Sequence, residues 1–156
     1  MVLAVVLLCW SSWPELPPRQ APPGPLEPGI YQVQRVVDGD TLLLANGHRV
    51  RLIGANTPET VRPNCPVEPW GPEAAEYTRQ FVAGGQIRLQ FDGRSTDKYG
   101  RVLAHVWVGE QMLGEELIRA GLAKAVTRYD YDPDVKARLR TAENQAKAAR
   151  RGIWSG

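Results

Sequence analysis

Apolar and polar positions alternate from Ile30 onward. "IYQVQRVV" (30–37) follows the two-residue period of a half-buried strand and is rich in β-branched residues. "TLLLA" (41–45) and "HRVRLIG" (48–54) come next, separated by Asn46-Gly47, a dipeptide that favours a type I′ hairpin turn. Three antiparallel strands are the natural reading. The period then changes: Ala74, Tyr77, Phe81 and Val82 recur at helical spacing between Pro72 and Val82, and the run stops at Gly84-Gly85. "QIRLQFD" (86–92) and "RVLAHVWV" (101–108) read as two further strands, joined by the loop "GRSTDKYG". "MLGEELIRAGLA" (112–123) is a short helix with Leu113, Leu117 and Ala120 on one side and Gly121 at its end. A longer helix from about Pro133 to Arg151 carries one packed face of Val135, Leu139, Ala142, Ala146 and Ala149. Five strands and three helices without βαβ alternation predict an α+β fold, and a small five-stranded barrel would remove most exposed edges.

The first 29 residues break this pattern. "MVLAVVLLCW" is apolar but too short to span a bilayer, so residues 1–13 read as a signal-like or anchor segment. Residues 14–29 hold more than half of the chain's 13 prolines and read as an extended spacer. The folded domain is therefore expected over 30–156. This organisation predicts a secreted or cell-envelope protein, with the N-terminal segment as a membrane tether if it is kept.

Composition narrows the chemistry. At 156 residues the chain suffices for one domain and one site, and a net charge of +2 does not by itself mark a nucleic-acid binder. Cys9 and Cys65, with His48 and His105, lack the spacing of a zinc site. The charged groups instead cluster around the first hairpin. Asp38 and Asp40 flank Gly39 at a strand junction, where they are expected to project from a turn. Arg51 falls in a strand beside Ile53, and an arginine there calls for a fixed anion: Glu59, held stiffly after Pro58, or a phosphate addressed by both. Lys98 and Arg101 surround a turn at Gly100. Asp132 reads as the N-cap of the last helix with Pro133 in its first turn, and most of that helix's basic residues as its solvated face. His48 is expected in solvent and His105 packed, while Trp70 either packs or lines a cleft.

With these residues in view, the chain resembles the staphylococcal nuclease family. "VVDGDT", "RLIGANTPE", "VEPWGPEA", "TDKYGR", "LIRAGLAK" and "GIW" occur in that family's order and cover nearly all of residues 30 to 154. The resemblance implies an OB-type five-stranded β-barrel with three α-helices. It implies calcium-dependent hydrolysis of DNA and RNA with little sequence preference, by a monomer. Carried across residue by residue, it makes Arg51, Glu59 and Arg101 catalytic: the arginines hold the scissile phosphate, and Glu59 serves as general base or orients water. Asp40, Asn56 and Thr57, the last through its carbonyl, would hold Ca2+, and Lys98, Tyr99 and Tyr129 would contact the nucleotide. Where the best-known member has a second calcium-ligating aspartate this chain has Asn56, which implies weaker calcium binding. The alternative is a noncatalytic OB-type module that binds nucleic acid without cutting it.

Overall fold

The computed structural model describes residues 24–60 and 66–156, so the apolar leader, most of the spacer and Cys65 lie outside the described residues. Strands β1 (Gly29–Asp38), β2 (Thr41–Leu44) and β3 (Arg49–Leu52) form an antiparallel meander, followed by the two-residue β4 (Ala55–Asn56) and helix α1 (Gly71–Phe81). Then come β5 (Gln86–Gln90), β6 (Val102–Val108), the short β7 (Gln111–Met112) and α2 (Leu113–Arg119). The chain ends with β8 (Lys124–Ala125), α3 (Pro133–Ala148) and a 3-10 turn at Gly152–Trp154. β1 pairs with β2 through its second half and with β5 through its first; register shifts between Val33 and Arg35 and between Val36 and Asp38 bend it enough to serve both neighbours. β5 pairs with β6, and β6 runs parallel to β3 with Val50 opposite Val102 and Leu52 opposite Ala104. That contact closes a five-stranded barrel, with the three helices packed against it, as an OB-type α+β domain requires.

Alternation within the strands fills the barrel. Leu42, Leu44, Val50, Leu52, Ile87, Leu89, Ala104 and Val106 are buried, and Leu113, Leu117, Ile118 and Leu139 pack from the helices. In β3 the buried residues are Val50 and Leu52, which puts Arg49 and Arg51 together on the outer face. Arg51 therefore shares its face with another arginine and does not sit among apolar strand residues. The expected type I′ turn is also different. The Leu44 carbonyl accepts from the Gly47 amide at 2.9 Å, the Leu44 amide donates to the His48 carbonyl, and only Gly47 of the pair has positive φ (88°). This is a three-residue loop with a glycine bulge, a geometry that asks for left-handed backbone once. His48 is half-buried, not solvated, with Nε2 2.7 Å from the Gly24 carbonyl.

The last helix starts as its sequence dictates. Asp132 Oδ1 accepts from the amides of Asp134 (2.7 Å) and Val135 (3.4 Å), with Pro133 in the first turn. Val135, Leu139, Ala142 and Ala146 are buried, whereas Ala149 ends the helix in solvent. Several basic residues of this helix are tied down. Arg138 reaches Glu115 of α2 and covers Trp107, and Lys147 pairs with Glu143 at 2.8 Å.

Candidate active site

One rim of the barrel gathers the β1–β2 turn, the outer face of β3, the segment after β4 and the loop before β6. They enclose a cleft of about 480 Å3. Its most consequential residue has no side chain. A Cβ at Gly39 would lie 2.8 Å from both Ala74 Cβ of α1 and Thr57 Cγ2, and Thr78 of α1 donates to the Gly39 carbonyl at 2.6 Å. The turn is thus pressed beneath the helix and residue 57. Asp38 and Asp40 are consequently buried, 6% and 5% exposed, and do not project into solvent as a turn would suggest.

Buried carboxylates need donors, and these two find them in the segment after β4. Asp40 Oδ2 accepts from the Thr57 amide at 2.8 Å, and Asp40 Oδ1 from the Thr41 hydroxyl at 3.1 Å. Asp38 Oδ1 accepts from the Thr60 hydroxyl at 2.7 Å and from the Gly39 amide at 2.9 Å. Between these two anchors lies Glu59, whose backbone is gripped from the other side by Glu68. The Glu59 amide donates to Glu68 Oε2 at 3.0 Å, and the Glu68 amide donates to the Glu59 carbonyl at 2.9 Å. Four ties, from Thr57, Thr60 and both sides of the Glu59 peptide, therefore fix the backbone that carries the Glu59 carboxylate at the cleft wall.

Arg51 is partnered by Asp40, with which it forms an ion pair, and by Asn56, whose Oδ1 accepts from Nη2 at 2.7 Å. Sequence pointed to Glu59 or a phosphate as the partner for Arg51; Asp40 and Asn56 join that set, and the Glu59 charge also acts on the guanidinium. Burial, and after it the charge of Arg101, lower the Arg51 pKa to about 10, while Asp38, Glu59 and Asp97 act the other way. Arg51 stays cationic at neutral pH. Arg101 also lines the cleft, its Nε donating to Asp97 Oδ2 at 2.7 Å. Burial raises the Asp97 pKa, but hydrogen bonds from the Arg101 backbone and guanidinium and from the Tyr99 amide outweigh it and hold the carboxyl below its ordinary value. The Tyr99 ring is 72% exposed at the mouth, with Lys98 Nζ 5.0 Å and the Arg101 guanidinium 5.4 Å from its centre.

Seven of the sequence-derived residues, Asp40, Arg51, Asn56, Thr57, Glu59, Tyr99 and Arg101, line this one cleft. Two do not. Lys98 stands over the Tyr99 ring without lining the cleft, and the exposed Tyr129 accepts from Arg128 outside the cleft wall. Three residues that matter here were not singled out: Arg49, Asp97 and Glu68. Arg49 had a signal, since it is two residues from Arg51 on a strand. Asp97 lies four residues before Arg101 around a glycine turn. Glu68 had none, because it lies nine residues from Glu59 with no periodic pattern joining the two.

Two oxygens, Asp40 Oδ2 and Asn56 Oδ1, already converge on a single cation, the Arg51 guanidinium. With the Thr57 carbonyl they make a set of hard oxygen donors holding one carboxylate, and among the described residues no cluster of three or more His, Cys, Asp or Glu side chains forms. Such a set suits a hard divalent ion, and calcium above softer metals.

Barrel and cleft together define an OB-type domain with Arg51, Glu59 and Arg101 lining one cleft. The chain matches the family described as "Staphylococcal nuclease homologue" over residues 49–156. It is 42% identical over 130 residues to the thermonuclease of Staphylococcus hyicus, covering 80% of this chain and 75% of that protein. It is also 42% identical over 129 residues to the thermonuclease of Staphylococcus intermedius, with 80% and 75% covered. Endonuclease YncB of Bacillus subtilis (strain 168) is 39% identical over 129 residues, 79% of this chain and 60% of that protein. The chain belongs to the staphylococcal nuclease family.

Proposed function

We propose that this nuclease uses calcium to hydrolyse phosphodiester bonds in DNA and RNA with little sequence preference. The observation that carries the reading is the cleft that places Arg51, Glu59 and Arg101 around one space. Attack on a phosphodiester builds charge on the phosphoryl oxygens, and guanidinium groups already fixed in place stabilise it without reorganising. Arg51 and Arg101 take that role. Glu59, half-buried and held by its backbone, accepts the proton of the attacking water or orients it. Asp40, Asn56 and the Thr57 carbonyl would hold calcium, which would add positive charge beside the phosphate when bound. Low selectivity follows from what the cleft offers: charged groups read the phosphate that all nucleotides share, and an exposed Tyr99 ring stacks on any base.

The apolar leader and Pro-rich spacer support export, with the leader either removed or kept as a tether; recovery of the protein only from the cytoplasm would contradict this. The same reading takes the protein to act as a monomer. The test of function is incubation of the purified full chain with single-stranded DNA and RNA oligonucleotides, in calcium or in chelator. Cleavage of both in calcium only is expected. Binding of both without cleavage in either condition would replace the enzyme with a binding module, a reading that the missing carboxylate at Asn56 favours.

A further inference from the structure

We propose that the single strand leaving the catalytic cleft continues into a second groove, where Trp70 stacks an unpaired base and Lys124 takes a backbone phosphate. The identity of the strand rests on the nuclease reading above. The groove, about 520 Å3, shares Asn56 and Thr57 with the cleft, so a strand crossing those two residues stays on the protein surface throughout.

Trp70 forms its wall before α1 and is 37% exposed. Its backbone lies in the left-handed region, φ 71° and ψ −1°, which a bulky side chain rarely adopts. The conformation itself belongs to a turn led by Pro69 and closed by the Gly71 amide donating to the Glu68 carbonyl at 3.0 Å. Glycine would satisfy that turn without strain; tryptophan in its place puts an aromatic ring on the groove wall, and strain of this kind concentrates where a ligand is met. An open indole face stacks on bases of any sequence.

Lys124 stands opposite Asn56 in the β4–β8 ladder and is exposed, so its ammonium lies beside the point where the strand would cross. Across the groove, the Trp154 ring already has cations against it, Lys147 Nζ at 4.5 Å and Lys124 Nζ at 5.9 Å. It supports the lysines and leaves Trp70 as the stacking surface. The Glu68 carboxylate on the same wall accepts from the Glu59 amide.

The test measures binding of a fluorescent thymidine dinucleotide and octanucleotide to the full chain in chelator, by anisotropy. Only the octanucleotide is long enough to fill both depressions. The wild type should bind the octanucleotide more tightly, by roughly tenfold or more for one stacked base and one phosphate. Trp70→Gly should remove most of that preference without lowering the melting temperature, because it relieves the strained backbone. Lys124→Ala should weaken octanucleotide binding and reduce its dependence on log salt by roughly 0.7, one phosphate's share on a single strand. The proposal is overturned if the wild type shows no length preference, or if that preference survives in both variants. Should the length preference depend on Trp70 while calcium produces no cleavage, the groove stands and the nuclease reading falls.

Discussion

Arg51 shows how much one side chain can organise. Its guanidinium draws Asp40 Oδ2 and Asn56 Oδ1 to a single point, and the same oxygens would be offered to a divalent ion. Asn56 contributes a neutral amide there, and since it is exposed it can be replaced without disturbing the core. Asn56→Asp adds a full negative charge to the donor set, and ligand charge is a main determinant of calcium affinity. Calorimetry should therefore show calcium binding tightened by about tenfold, an order-of-magnitude expectation from the added charge. The calcium needed for half-maximal cleavage should fall in parallel. An unchanged heat of titration would mean that residue 56 takes no part in holding the ion.

At the scale of elements, the segment from Thr57 to Thr60 is a short bridge suspended from three carboxylates, Asp40, Asp38 and Glu68. Glu68 comes from the stretch before α1, so the helix and the cleft are coupled through it. Glu68→Ala removes the acceptor for the Glu59 amide and should lower kcat by roughly 10- to 100-fold, the usual consequence of loosening a reacting group by about 1 Å. Glu68→Gln keeps an oxygen acceptor and should recover most of the rate; equal losses in both variants would contradict a positioning role. A second link joins β6 to α3. His105 of β6 is buried against Asp92, whose Oδ2 also accepts from the amide of Asp132 at the start of α3. Burial lowers the His105 pKa from 6.5, outweighing Asp92 and Asp132, which raise it, and Arg138 acts with burial. The unfolded chain thus takes up this proton more readily than the folded one. Stability from the neutral imidazole is complete above about pH 6.5 and is lost as pH falls toward the lowered folded value. Melting temperature should drop between neutral and mildly acidic pH in the wild type, and His105→Gln should flatten that part of the profile. A profile as steep in His105→Gln as in the wild type would assign the loss to other groups.

Across the whole molecule, the parts that sequence revealed are those with a period. Five strands and three helices could be read because Val50 and Leu52, or Val135 and Leu139, repeat at the spacing of their element. β4, β7 and β8 hold two residues each, too few to show any period, yet β4 and β8 place Lys124 beside Asn56. The site was legible in the residue types of its charged cluster and in a family resemblance, and less so in its geometry. Burial of Asp38 and Asp40 depends on the approach of α1 to Gly39, and the grip of Glu68 depends on a contact between residues nine apart in sequence. Neither leaves a local pattern. Similarly, Arg138 and Lys147 resemble any solvated helical cations until Glu115, Glu143 and the tryptophans are brought against them. These contacts bear on the central proposal, that Glu59, lining one cleft with Arg51 and Arg101, activates the water that attacks the phosphodiester bond. The most direct test is the single-turnover cleavage rate of Glu59→Gln at saturating calcium, with calcium affinity and melting temperature measured on the same protein. A fall of roughly 10²- to 10⁴-fold in rate, with affinity and stability unchanged, is the predicted result. A rate within a few-fold of the wild type would contradict it.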